Sequence, residues 1–208
     1  MISLKTQGGA NRARNAGADL ARGTHLAFLD SDDQFDPDKI SRQLRAMARF
    51  DKPFSVTGYR TDDGQIRTLP RFSRARLLRH NCLGGTSGLV VRKDLFLQER
   101  FDPDMKAVQD WDLFLRLSRH ATPVVLKSAL YTYGTECDDR ITQDHRARAL
   151  GHFQFYRRHI AENPSASPAV RKYHRQVQSH LVQLARPDRT SSKATQLAQR
   201  VALKIGTL

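Results

Sequence analysis

The sequence lacks long apolar segments and has few cysteines, and each absence excludes a class of protein. No run of 18 apolar residues occurs among its 208 residues, so no membrane-spanning helix is predicted. The N-terminus lacks the apolar core of a secretory signal peptide. The two cysteines, Cys82 and Cys137, form no metal-binding spacing and need not pair. We therefore expect a protein of the reducing cytoplasm.

Negative charge is also scarce, and the excess of positive charge is greatest near the C-terminus. Of the net charge of +14, residues 141–208 contribute 12 Lys and Arg against 3 Asp and Glu. Their pattern predicts helices at about 143–162, 167–185 and 191–205. We expect a first domain over residues 1–140 and a basic α-helical extension over residues 141–208.

The basic extension leaves two interpretations open. Its surface could lie against anionic lipid headgroups, which would place the protein peripherally at the inner face of the membrane. Alternatively, the charges are simply solvated. Nucleic acid is not expected as a partner, because aromatic residues do not alternate with the arginines in a stacking pattern and no known binding motif is present.

The most informative segment is the run LAFLDSDD at residues 26–33. Its first four residues have no polar alternation, which predicts a strand buried on both faces, as in a parallel sheet. Asp30, Asp32 and Asp33 follow at the carboxyl end, where α/β sheets bind ligands. Carboxylates this close repel one another unless a cation lies among them, and Mg²⁺ or Mn²⁺ shared with phosphates would suit. The alternative is a plain Asp-rich turn.

The flanking residues extend this motif. A predicted helix, bounded by Gly8-Gly9 and by Gly23 as its C-cap, contains ARNAG at residues 13–17. Further along, GGTSGLVVRK occupies residues 84–93 and VQDWDLFLRL occupies residues 108–117. Together these segments resemble the family 2 glycosyltransferases of the GT-A fold, in which FLDxDD follows a helix with ARNxG and a later helix begins with EDWD or EDWE.

The resemblance implies an α/β fold with a GT-A-like mixed sheet, as in nucleotide-diphospho-sugar transferases. It implies an inverting, metal-dependent transfer of sugar from a nucleotide-diphosphate sugar to a glycan or lipid-linked acceptor, in cell-surface polysaccharide or glycan synthesis. The roles it assigns are catalytic base for Asp110, Mg²⁺ or Mn²⁺ ligand for Asp32 in the Asp-x-Asp motif, nucleotide binding for Asp30 and Arg14, and acceptor binding for Gly84, Gly85 and Thr86. Asp110 has an alternative role as a carboxylate that complements the helix dipole.

The same resemblance exposes a difference at the N-terminus. Members of the family begin with a hydrophobic strand, and a second strand ends in Asp-Asp-Gly-Ser, but neither pattern is found here. We therefore expect a GT-A sheet that lacks its first strands. An alternative function follows, in which the chain is a non-catalytic remnant that acts as a basic peripheral-membrane or scaffold protein.

Overall fold

A computed structural model describes residues 9–134 and 144–185 of the chain. These residues form two compact units. The first comprises residues 9–77, 81–105 and 109–134, and the second comprises residues 78–80, 106–108 and 144–185. The first unit contains one sheet with helices, and the second is mainly a pair of helices.

The secondary structure alternates between helices and short strands in the first unit. The helices of both units are α1 (Gly9–Leu20), α2 (Lys39–Phe50), α3 (Arg74–Arg79), α4 (Lys93–Glu99), α5 (Gln109–His120), α6 (His145–His159) and α7 (Pro168–Leu184), with a 3₁₀ turn at Thr86–Gly88. The strands are β1 (His25–Ala27), β2 (Gln34–Phe35), β3 (Phe54–Thr61), β4 (Ile66–Arg67), β5 (Val90–Arg92) and β6 (Val124–Tyr133).

The strands form one mixed sheet in the order β1-β5-β3-β6-β2, with β4 paired to β3. Strands β3 and β6 run parallel, with Ser55 opposite Val124, and the other pairs are antiparallel. The expected α/β fold with a mixed sheet is therefore confirmed. Strand β2 directly follows the turn after β1 and pairs with the end of β6, so that turn lies close to the residues that follow β6.

The segment at residues 26–29 differs from the prediction. It pairs antiparallel with β5, and only one of its faces is buried. Phe28 packs on Phe96 and Phe101, with ring centroids 5.0 and 5.5 Å away. Leu29 is 53% exposed and Ala27 is exposed as well, so the alternate residues of this segment lie open. The prediction of a parallel strand buried on both faces is wrong.

The predicted glycine cap of α1 is also wrong. The helix ends at Leu20, and Gly23, three residues further on, does not adopt a left-handed backbone. The end of this helix is satisfied differently: the Lys93 Nζ donates a hydrogen bond to the Ala21 carbonyl at 2.6 Å. A side chain from α4 thus supplies a hydrogen-bond donor just beyond the end of this helix.

Helix α5 carries the predicted core residues. Trp111 is 5% exposed, and Phe114 and Leu115 are completely buried. The indole Nε1 of Trp111 donates a hydrogen bond to the Leu77 carbonyl at 2.6 Å. This confirms that Trp111 belongs to the core, and it anchors the first turn of α5, where Asp110 lies.

In the second unit, α6 and α7 confirm the first two predicted C-terminal helices. The Asp144 carboxylate caps α6 and the Ser167 hydroxyl caps α7. A Cβ on Gly151 would lie 2.7 Å from the backbone of Ala107, so glycine permits close contact there. The predicted domain boundary at 140/141 and the third helix at 191–205 lie outside the described residues. No helix within 9–134 or 144–185 is long and apolar enough to cross a membrane.

Candidate active site

The three aspartates after β1 form a turn that is tied to two other parts of the first unit. The Asp33 N–H donates to the Asp30 carbonyl at 3.0 Å, which closes the turn. The Asp30 N–H donates to the Ser87 Oγ at 3.0 Å. The Gly134 N–H, just after β6, donates to the Asp33 Oδ1 at 3.1 Å. The acidic turn is therefore held by the 3₁₀ turn on one side and by the end of β6 on the other.

Gly134 is in unusually close contact with this turn. A Cβ built on Gly134 would lie 2.0 Å from the backbone carbonyl oxygen of Asp32. Any side chain at this position would have to push the two backbones apart. The turn at Asp32 can therefore take its observed position only because residue 134 has no side chain.

Asp30 is paired with Arg14 across the sheet edge. The Arg14 Nη2 donates a hydrogen bond to the Asp30 Oδ1, and the two side chains are 19% and 33% exposed. The Arg14 guanidinium also lies 5.2 Å from the centre of the Phe101 ring. Arg14 and Asp30 are the two residues predicted to bind the nucleotide, and the structure brings them together. The hydrogen bond from Arg14 orients the Asp30 carboxylate.

Asp110 lies half-buried in the first turn of α5. Its Oδ1 accepts from the Trp111 N–H at 2.8 Å, and its Oδ2 accepts from the Asn81 Nδ2 at 3.0 Å. Burial raises the pKa of Asp110 to about 6, whereas the Trp111 N–H and the Arg14 charge lower it and the Asp30 charge raises it. Asp110 is thus electrostatically coupled to the Arg14–Asp30 pair. Its carboxylate is ionised at neutral pH but is a stronger base than an exposed one.

Gly84, Gly85 and Thr86 form the turn that leads into the 3₁₀ helix. Gly84 has a φ of +81°, which favours glycine. Its carbonyl accepts from the Asn81 Nδ2 at 2.8 Å, so this turn and Asp110 share one amide. A Cβ on Gly85 would lie 3.5 Å from the Tyr131 hydroxyl oxygen. Thr86 is only 5% exposed, so the accessible surface of this stretch is mainly the backbone of the two glycines.

The carboxylates of the turn differ in what they can bind. Asp30 faces Arg14 and Asp33 accepts from Gly134, whereas Asp32 is exposed. No group of three His, Cys, Asp or Glu side chains in the described residues is arranged to hold a metal ion. Mg²⁺, however, is usually bound by one or two carboxylates together with substrate phosphates, and Mn²⁺ accepts the same oxygen ligands. A single exposed carboxylate at Asp32 fits that type of site.

Two site residues were not singled out from the sequence. Ser87 lies inside the GGTSG segment, and its contact with the Asp30 N–H links that segment to the acidic turn. Asn81 precedes the segment and bridges Gly84 and Asp110. The GGTSG motif is a signal that could have indicated Ser87. Asn81 has no local signal, since its importance depends on where α5 packs.

The chain is similar to proteins of one known family. The family model described as Glycosyl transferase family 2 matches residues 1–105. The chain belongs to glycosyltransferase family 2. It is 42% identical over 59 residues to the putative teichuronic acid biosynthesis glycosyltransferase TuaG of Bacillus subtilis, covering 28% of this chain and 23% of the relative.

Other relatives of this family 2 chain match over longer segments. It is 30% identical over 122 residues to the amylovoran biosynthesis glycosyltransferase AmsB of Erwinia amylovora, covering 51% of this chain and 40% of AmsB. It is 24% identical over 162 residues to the putative colanic acid biosynthesis glycosyl transferase WcaA of Escherichia coli, covering 73% of this chain and 57% of WcaA. The chain thus spans about half the length, or less, of these curated relatives.

A solved structure shares the fold of the family 2 chain. Residues 1–349 of S. aureus TarS, crystallised in complex with UDP-GlcNAc, match with a TM-score of 0.57. The identity is 14%, and the match covers 86% of this chain and 54% of the TarS chain. The GT-A-type fold expected from the sequence is therefore confirmed.

Proposed function

We propose that this chain takes part in the transfer of a sugar from a nucleotide-diphosphate sugar to an acceptor hydroxyl, with inversion at the anomeric carbon. The observation that carries the proposal is the position of Asp110: a half-buried carboxylate with a raised pKa, coupled to the Arg14–Asp30 pair at the end of β1. The names of TuaG, AmsB and WcaA favour polysaccharide biosynthesis as the setting. The TarS complex with UDP-GlcNAc supports a nucleotide-sugar donor.

In this proposal Asp110 is the general base. Its free carboxylate lone pairs accept the proton of the acceptor hydroxyl while the hydroxyl oxygen bonds to the anomeric carbon. The bond from that carbon to the diphosphate oxygen breaks, and the diphosphate leaves with the electron pair. A single displacement of this kind inverts the anomeric centre. A base with a pKa of about 6 is ionised at neutral pH and still basic enough to accept the proton.

The other residues bind and orient the donor and the acceptor. Asp32 would hold Mg²⁺ or Mn²⁺ together with the diphosphate oxygens, and the ion would offset the charge of the leaving group. Arg14 orients Asp30, whose second oxygen would accept a hydrogen bond from the ribose or from a water of the ion. Arg14 also contributes positive charge near the nucleotide. Gly84, Gly85 and Thr86 would line the acceptor side.

Donor turnover provides the test. The protein is incubated with UDP-, GDP- and dTDP-sugars and Mn²⁺, and release of the nucleoside diphosphate is measured with and without candidate polyol and glycan acceptors. We expect release with one donor. An acceptor should accelerate it, and Asp110→Asn should lower the acceptor-stimulated release by about 10²- to 10⁴-fold. Equal release from the parent and from the Asp110→Asn variant would exclude Asp110 as the base. No release with any donor would favour the alternative, non-catalytic function.

A second proposal concerns a membrane partner, and it rests on one stripe of α6. Arg146, Leu150, Phe153 and Arg157 follow one another at spacings of four, three and four residues, which places them on one helix face. Leu150 and Phe153 are 46% and 48% exposed. The Arg157 guanidinium lies 5.9 Å from the centre of the Phe153 ring. We infer that this α6 stripe contacts an anionic lipid surface, because apolar side chains flanked by cations suit the boundary between headgroups and acyl chains.

Vesicle sedimentation tests the α6 stripe. The protein should bind vesicles of phosphatidylglycerol mixed with phosphatidylcholine, and it should not bind phosphatidylcholine alone. Leu150→Ser with Phe153→Ser should weaken binding several-fold. The control is Val182→Ser on α7, which removes an apolar side chain that is also 48% exposed. Equal binding to both vesicle types would contradict this proposal. So would light scattering that shows a dimer which the Leu150→Ser, Phe153→Ser variant does not form.

A further inference from the structure

Asn81 uses its side-chain amide to join two parts of the candidate site. Its Nδ2 donates to the Asp110 Oδ2 at 3.0 Å and to the Gly84 carbonyl at 2.8 Å. Its Oδ1 accepts from the Leu83 N–H at 3.1 Å. Both amide hydrogens and the carbonyl oxygen therefore have partners, which fixes the plane of the amide. An amide that is held in this way has no freedom to turn away from Asp110.

Both oxygens of the Asp110 carboxylate accept a hydrogen bond. Oδ1 accepts from the backbone N–H of Trp111 at 2.8 Å, and Oδ2 accepts from Asn81. The Trp111 donor is part of α5 itself, so it caps the carboxylate from the helix side. The Asn81 donor comes from another segment, 29 residues earlier in the chain. A quarter-turn of the carboxylate about its Cβ–Cγ bond would break both hydrogen bonds.

We propose that Asn81 is a positioning residue for the general base: its amide holds the Asp110 carboxylate in register with the Gly84–Gly85 turn. This inference rests on the proposed function, because it takes Asp110 as the base and the glycine turn as the acceptor side. A shared amide keeps the distance between the base and that backbone constant. The acceptor hydroxyl therefore meets a carboxylate whose direction is already set, and no reorganisation is needed at the moment of transfer.

If Asn81 holds Asp110 in this way, its amide should also affect the ionisation of Asp110. A donor to the carboxylate favours its charged form and so opposes the effect of burial. Among the described residues, the charged or titratable groups that act on Asp110 include Arg14 from α1, Asp30 from the acidic turn and Tyr131 from β6. Since these three stay in place when Asn81 is replaced, a change in the Asp110 titration would report the loss of the amide.

The substitution Asn81→Asp tests the proposal without a large change in size. It replaces the amide donor by a carboxylate that repels Asp110, whereas Asn81→Ala only removes the donor. The pKa of Asp110 is measured from its carboxyl carbon by ¹³C NMR, with the resonance assigned by its absence in Asp110→Asn. We expect the pKa to rise by about one unit in Asn81→Ala and by more in Asn81→Asp. The control is Asn163→Ala, which removes an amide that donates to the His159 carbonyl in the second unit.

The kinetic consequence separates positioning from a merely structural role. In Asn81→Ala, kcat for transfer should fall about 10- to 100-fold, and the acid limb of its pH profile should move to higher pH, while the KM for the donor stays unchanged. An Asp110 titration that neither substitution moves would overturn the proposal, whatever the activity. If the pKa of Asp110 changes in these variants but the parent protein has no transfer activity, the proposed function is contradicted. The hydrogen bond by which Asn81 positions Asp110 would still be supported.

Discussion

Asp110 and Asp112 lie two residues apart in the first turn of α5, yet they have different partners. Asp110 is half-buried and accepts from Asn81. Asp112 is 1% exposed and accepts two hydrogen bonds from Arg116, at 2.9 and 2.8 Å. Arg116 also binds the Glu99 carboxylate at 2.9 Å. One acid of the motif therefore faces the candidate site, and the other is buried against Arg116, which in turn joins α5 to Glu99 of α4.

The two aspartates should respond oppositely to the same substitution. Asp110→Asn should lower transfer by about 10²- to 10⁴-fold and leave nucleotide affinity nearly unchanged, because a general base acts on the acceptor. It should not destabilise the fold at pH 7.5. Because the pKa of Asp110 is raised in the folded protein, its charged form makes the folded state less stable, and the substitution removes that charge. Initial rates and urea unfolding of the variant are the measurements.

Asp112→Asn is the matched variant. It should lower the free energy of unfolding by up to about 3 kcal/mol, because among the described residues it leaves the buried Arg116 with Glu99 as its one charged partner. Its effect on kcat should be much smaller than that of Asp110→Asn. An inactive but stable Asp112→Asn protein, beside an active Asp110→Asn protein, would mean that the base has been assigned to the wrong aspartate.

Metal binding should depend on Asp32 and on the nucleotide together. Mn²⁺ should bind weakly alone and more tightly with UDP, since the phosphates complete an octahedral shell. Calorimetry should show that Asp32→Ala loses this enhancement, while Asp38→Ala, another exposed carboxylate, keeps it. Gly134→Ala should weaken binding as well, because its Cβ would displace the Asp32 backbone. Equal Mn²⁺ binding by the parent and by Asp32→Ala would remove Asp32 from the site.

Lys39 should make the first unit more stable as the pH rises above 7. The side chain is completely buried, its Nζ has no hydrogen-bond partner in the described part of the chain, and it lies 4.1 Å from the centre of the Phe35 ring. Burial lowers its pKa to about 7. Between this value and the ordinary lysine pKa the unfolded chain binds more protons, so stability should rise with pH by about 1.4 kcal/mol per unit.

The substitution Lys39→Met should therefore stabilise the protein at pH 7 and flatten this rise. Urea unfolding at pH 7, 8 and 9 measures both effects, and the difference between variant and parent cancels the contributions of other groups. Lys127→Met, which replaces an exposed lysine on β6, is the control. If the Lys39→Met and parent curves ran parallel over this range, Lys39 would be charged in the folded protein.

Acid should destabilise the α6–α7 unit through His152. Burial, together with the charges of His174 and Arg148, lowers the pKa of His152 to about 4. The unfolded chain then binds more protons below the ordinary histidine pKa of about 6.5, so stability is lost as pH falls from there toward 4. His152→Gln should reduce this loss in urea unfolding followed by circular dichroism at pH 7, 6 and 5. His180→Gln on α7 is the control, and an equal acid response in both variants would contradict the role of His152.

The sequence by itself determined the family and the local elements. The FLDSDD and QDWD motifs indicated the fold, and the spacing of Trp111, Phe114 and Leu115 predicted a buried helix face. These features depend on residues within a few positions of one another, where backbone geometry determines which side chains share a face. For the same reason the helices α6 and α7 were predictable from capping residues and prolines.

Tertiary structure alone decided the partners. Arg14 meets Asp30, Arg116 meets Glu99, and Asn81 meets Asp110, and each of these contacts joins residues 16 to 29 positions apart along the chain. The exposure of Leu29 likewise depends on what covers β1, and no local pattern records it. Propensity and periodicity act over one or two turns of the chain, whereas charge pairing and burial arise only when the sheet assembles distant segments. The chemistry of the aspartates therefore became specific only in the folded unit.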